Sequence, residues 1–140
     1  MPGGAPGSQY AGHMFGNGFA MWGATLAVSL SAYQCSYDAS VYQGLRFSAR
    51  GSGMVMVSIA TASTVPIAEG GRCLSVCYDN FRAPFTLSDN WVQYSVPWSF
   101  FAQGGWGTPA FFSPRELMYL ELAFGTNVAF DLYIDDVGFF

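Results

Sequence analysis

The sequence predicts an all-β protein built as an antiparallel sandwich of two sheets. Three observations lead there. Short runs of alternating apolar and polar residues recur along the chain, each bounded by Gly, Pro or Asn. Seventeen glycines and 18% aromatic residues accompany only 10% charged residues, whereas surface helices need Glu and Lys on their solvent face. The 140 residues make one domain with one core; split in two, each half would bury too little.

The elements follow in order. Residues 1–9, MPGGAPGSQ, are expected as a flexible lead-in to a single domain over 10–140. Tyr10 to Met14 reads as a short strand. Gly16-Asn17-Gly18 is a turn signal, and the apolar Phe19 to Leu30 could close a hairpin across it. The 15 residues Phe19 to Tyr33 are too short to span a bilayer, and no basic residue precedes them as in a signal peptide. In GLRFSARG, Leu45, Phe47 and Ala49 alternate with Arg46, Ser48 and Arg50. Beyond Gly51-Ser52-Gly53, Val55, Val57 and Ile59 alternate with Met54, Met56 and Ser58, and the two runs read as a hairpin.

Residues 62–85 read as loop, given Pro66, Gly70, Gly71, two close cysteines and Pro84. Trp91 to Val96 is a strand with Val92, Tyr94 and Val96 on one side. Residues 97–114 are irregular, ending in one helical turn with Ser113 as N-cap and Pro114 in its first position. The last strands, Tyr119 to Phe124 and Phe130 to Phe139, are joined by Gly125-Thr126-Asn127 and expected as neighbours.

Charge and reactive groups narrow the function. The net charge is −4, lysine is absent and five arginines are scattered. That excludes the clustered positive charge of nucleic-acid binding and suits a neutral ligand. One histidine, His13, and no second close cysteine pair make a poor zinc constellation. No nucleophile stands in a G-x-S-x-G setting, and nothing places the carboxylates Glu116 and Glu121 across a cleft; no enzyme is expected. Cys73 and Cys77 are spaced for a local disulfide, which would imply an oxidising compartment; three buried free thiols is the alternative. Asp131, Asp135 and Asp136 could offer oxygen ligands to calcium, although adjacent strand residues point to opposite faces.

Three segments together resemble one family. CSYDASVYQGLRFSARG is similar to a Tyr-Asp-Ala-Ser, spacer, Gly-hydrophobic-x-Phe-x-Ala-x-Gly motif. LSDNWVQYSVPWSFFAQGGWG is similar to a Trp-x-x-Tyr-x-Val-Pro-Phe strand followed by a Gly-Trp-Gly loop, with Trp98 where Phe is usual. FDLYIDDVGFF is similar to a closing Phe-Asp-Leu-x-Ile-Asp-Asp-Val strand. These are motifs of the jelly-roll carbohydrate-binding modules grouped near families 11 and 30, and order and spacing agree over roughly residues 10–140. Relatives carry a further strand or two upstream.

The resemblance implies a jelly-roll, galactose-binding-like sandwich that is secreted and binds neutral, β-glucan-like polysaccharide beside a fused or associated glycoside hydrolase, without contact to nucleic acid or membrane. It also implies a Cys73–Cys77 disulfide and a structural calcium with Asp136 the favoured ligand. The lost upstream strand implies an open edge, to be filled by a partner chain in a homo-oligomer or filament, or by residues 1–14. Sugar rings offer apolar C–H patches to flat aromatic side chains and hydroxyls to polar ones. The candidates are Trp98 and Trp106 in the long loop, outward-facing Tyr119 and Tyr133, and Arg46, Arg50 and Glu121 as hydroxyl partners, with core or solvated-face roles as the bland alternative. Trp22 and Trp91 are expected in the core. The rival reading is a structural or adhesive subunit that self-assembles through exposed sheet edges.

Overall fold

The computed structural model describes residues 3–140; Met1 and Pro2, the start of the expected lead-in, lie outside the described residues. Eight strands form: β1 Gly12–Gly16, β2 Ala24–Ser29, β3 Gly44–Ser52, β4 Met54–Thr61, β5 Phe81–Thr86, β6 Val92–Pro97, β7 Leu117–Phe124 and β8 Phe130–Phe139. Helix is limited, among the described residues, to three single 3-10 turns at Ile67–Glu69, Trp98–Phe100 and Pro114–Glu116. Pro114 opens its turn, but the Ser113 side chain makes no capping bond.

The strands pair from the outside in: β1 with β8, β2 with β7, β3 with β6 and β4 with β5, all antiparallel. Pairing of β3 with β8 and of β4 with β7 completes two sheets, ordered β1-β8-β3-β6 and β2-β7-β4-β5. This is the jelly roll, one long antiparallel ribbon wrapped into a sandwich. The alternating residues meet between the sheets: Leu45, Phe47 and Ala49 of β3 and Leu132 of β8 face Val55, Val57, Ile59 and Leu122 of the other sheet.

Three expectations about pairing are corrected by this topology. β1 and β2, β3 and β4, and β7 and β8 are not hairpins or neighbours; each pair is split between the two sheets. An arch between sheets and a hairpin within one show the same alternation and the same Gly-rich turn. The arch at 51–53 depends on Gly51, held at φ +140°, where a Cβ would sit 1.9 Å from the Asp131 carbonyl oxygen. A fourth correction concerns β5, which falls in the expected 62–85 loop. Its Pro84 is tolerated because β5 is an edge strand, bonded on one side to β4.

The N-terminal segment also differs from expectation. Residues 3–9 are tied to the sandwich: Ala5 is buried and its N–H donates to Asp135 Oδ2. β1, within residues 1–14 but for its last two positions, pairs with β8 and forms the edge of the first sheet.

Candidate functional site

The outward faces of the two sheets lie on opposite sides of the molecule, and the expected site residues divide between them. Tyr119 and Glu121 stand on β7 in the second sheet; Arg46 and Arg50 on β3 and Tyr133 on β8 stand in the first. Tyr119 and Glu121 therefore do not share a cleft with Arg46 and Arg50.

The second sheet carries Tyr119 and Glu121 on its outward face. Its register aligns Ala27, Glu121, Ser58 and Arg82 in one row across four strands, and Ser29, Tyr119 and Ala60 in the next. Small side chains thus flank both Tyr119 and Glu121, and Ser58 and Ala60 are themselves buried. Beside Tyr119 lies a recess of about 270 Å³, lined also by Ser31, Tyr33, Gln34 and Glu69.

The dipeptide Asp79-Asn80, at the head of β5, organises this face. Both residues are buried. Asn80 accepts a hydrogen bond from the Thr64 hydroxyl at 2.7 Å and donates from Nδ2 to Glu121 at 3.3 Å. Asp79 does the same for the long loop. Its carboxylate accepts the N–H of Gly104 and Gly105 at 2.8 Å and of Trp106 and Gly107 at 3.1 Å. Four converging amides hold Gly-Gly-Trp-Gly around one anion, and Trp106 is left 54% exposed. The loop lies against the sheet edge: Ala102 bridges Arg82 of β5, and a Cβ on Gly104 would collide with the Arg82 guanidinium.

Electrostatics follow from this packing. Burial, the largest influence on Asp79, would raise its pKa. The amides of Gly107, Gly104 and Gly105 and the Arg82 guanidinium outweigh it and hold Asp79 below the usual carboxylate range. Burial pushes the Tyr119 hydroxyl up to about 12, so it stays a donor at neutral pH. Burial also raises Glu121, against the lowering bond from Asn80. Since the folded state holds that proton more tightly than the unfolded chain, ionised Glu121 opposes folding; stability rises as pH falls from its raised pKa toward the ordinary carboxylate value. Glu121→Gln, which keeps an acceptor for Asn80, is expected to raise Tm at pH 7 by a few degrees, with the gain shrinking toward pH 4; thermal melts across pH check this.

The face of the first sheet is built differently. One row carries His13, Tyr133 and Arg50 on β1, β8 and β3. His13 stacks on Tyr133 at 4.0 Å and bonds Asp131 at 2.7 Å. The Arg50 guanidinium lies over Tyr133 at 4.1 Å and over Trp91 at 5.5 Å. Both faces of the Tyr133 ring are thus taken by neighbouring strands. Arg46 projects, exposed, from β3.

Trp98 is half-buried among Phe101, Phe112 and Phe139, and its Nε1 donates to the Tyr42 carbonyl. Trp22, expected in the core, is 89% exposed before β2; apolar neighbours in sequence misplace it, because it belongs to the β1–β2 arch. Trp91 is partly exposed rather than core. Cys73 and Cys77 form the expected disulfide, and Cys35 is free and exposed. Asp136 meets the Ser48 hydroxyl at 3.3 Å, while Asp135 accepts from the Ala5 and Asp136 amides. Calcium takes six to eight oxygens, and among the described residues no three metal-ligating side chains converge. The side chains around Asp136 do not by themselves fit that ion.

No protein-family model matches the chain, and no curated protein matches it. Solved structures do. The family 11 carbohydrate-binding module from Clostridium thermocellum, in complex with a β-1,3-1,4-mixed-linked tetrasaccharide, superposes with a TM-score of 0.64 at 12% identity, covering 94% of this chain and 84% of that one. The family 30 module of a cellulosomal cellulase of Clostridium thermocellum gives a TM-score of 0.67 at 12% identity, covering 94% and 74%. The family 11 module of another Clostridium thermocellum cellulosomal cellulase gives 0.57 at 13% identity. The shared feature is the fold.

Proposed function

We propose that the chain is a non-catalytic, secreted carbohydrate-binding module. It binds a neutral β-glucan-like polysaccharide along the outward face of the second sheet. The observation that carries this reading is the Asp79-Asn80 hub, which holds the loop of an exposed indole, Trp106, through one residue and the acceptor Glu121 through the next. The indole covers a pyranose C–H patch. Glu121, Asn80 and the Tyr119 hydroxyl bond ring hydroxyls. The fold shared with carbohydrate-binding modules supports the ligand class, and the Cys73–Cys77 disulfide supports an oxidising, extracellular setting.

A wet, shallow site with few stacked rings leaves about −4 to −7 kcal/mol, or roughly millimolar to ten-micromolar Kd. Affinity electrophoresis and pull-down on a panel of soluble and insoluble polysaccharides should show retention on neutral β-glucans. It should change little with salt, because the ligand is uncharged, and no reducing ends should be released. A folded sample that no glycan retains removes this reading. Exposed Phe111, Trp22 and Tyr33 favour a second one, a self-associating structural subunit; light scattering showing concentration-dependent growth together with no glycan retention would select it.

A further inference from the structure

On the opposite side of the sandwich, the first sheet holds a second aromatic and polar recess that the proposed cleft does not use. It occupies about 260 Å³ and is lined by Pro6, Ser48, Trp91, Val92, Gln93 and Asp136. This is less than the roughly 300–1,000 Å³ of a drug-sized ligand pocket, the scale of a single sugar ring.

We infer that this recess is a second glycan site, taking a single neutral pyranose unit against Trp91. Register places Ser48 opposite Gln93 on neighbouring strands, with Trp91 just before the start of β6 and Gln93 within it. Arg50, stacked over the indole, fixes Trp91 in place. A platform is thereby set beside a hydroxyl, an amide and a carboxylate, the groups that bond vicinal sugar hydroxyls. Asp136 is held in the left-handed region at φ 51°, a conformation that a non-glycine residue rarely adopts. It interrupts the regular alternation of β8 and turns its carboxylate to Ser48 and the recess. Strain of this kind is retained where surrounding structure over-determines it, and it gathers at binding sites. The sugar class rests on the carbohydrate-binding reading, but the residues are independent of the Trp106 face. Two sites on opposite faces give a bivalent module that can bridge neighbouring chains.

The four indole Nε1–H signals in a two-dimensional NMR spectrum are separate probes of the two faces. The chain is titrated with methyl β-D-glucoside and with a β-1,3-1,4-linked tetrasaccharide. The expected result is that the glucoside moves the Trp91 signal and the Ser48 and Gln93 amides. The tetrasaccharide should move Trp106 as well. Trp91→Ala and Gln93→Ala should each weaken glucoside binding at least tenfold while leaving the Trp106 response to the tetrasaccharide intact. Movement at Trp106 with none at Trp91 overturns the second site and keeps the first; movement at Trp91 alone does the reverse. Calcium moving the Ser48 and Asp136 signals, with the glucoside leaving them in place, also overturns it.

Discussion

Asp79→Ala is expected to lower the stability of the domain by about 3–5 kcal/mol, roughly 10–17 °C in Tm. The carboxylate is 2% exposed and accepts four backbone amides from Gly104 to Gly107. Hydrogen bonds to a charged group contribute more than neutral ones. Removing the shared acceptor strands all four donors at once and leaves Arg82, 3.5 Å away, without its counter-charge. Asp79→Asn should recover less than half of the loss, since its amide nitrogen would face donors. The pH dependence separates this mechanism from simple cavity formation. The folded-state pKa of Asp79 is depressed, so its contribution is full above the ordinary carboxylate range and is lost as pH falls through the lowered value. The stability gap between wild type and Asp79→Ala should narrow in acid. Urea melts at pH 7 and pH 3 check this; a gap that persists unchanged in acid rejects the charge-based account.

The same dipeptide shows where sequence reading stops. Alternation is a local signal, and it located six of the strands near their observed places, with Leu45, Phe47 and Ala49 buried as expected. Alternation carries no information about which sheet a strand joins, so Tyr119 and Tyr133 read as neighbours although β7 and β8 are in different sheets. β5 was hidden by Pro84, a residue that only an edge strand accommodates. Asp79-Asn80 was passed over because two polar residues between a cysteine loop and an apolar segment look like loop. Their meaning comes from partners 25 and 41 positions away, Gly104 and Glu121. The Trp106 loop was legible as a candidate; what holds it was not. Asp38, by contrast, bonds the Ser40 amide two residues on, a local turn of the kind that the Tyr-Asp-Ala-Ser motif can encode unaided.

Trp106→Ala and Tyr133→Ala are expected to separate binding from stability, although both residues read from sequence as equivalent sugar platforms. Trp106 is more than half exposed, and its backbone amide, not its ring, is what Asp79 holds. Truncation should leave stability within about 0.5 kcal/mol. On the proposed reading it removes the stacking surface, weakening β-glucan binding by about 2 kcal/mol, or some thirtyfold. Tyr133 lies between the His13 ring at 4.0 Å and the Arg50 guanidinium at 4.1 Å. It has no open ring face to offer, and its loss removes one aromatic stack and one cation–π contact from the centre of the first sheet. About 2–3 kcal/mol of stability should go with it, while glucan binding on the opposite face stays within twofold. Differential scanning calorimetry paired with affinity electrophoresis on the same two variants decides the matter. Strong loss of glucan binding in Tyr133→Ala with an unchanged melt would move the cleft to the first sheet, and unchanged binding in Trp106→Ala would remove the indole from it.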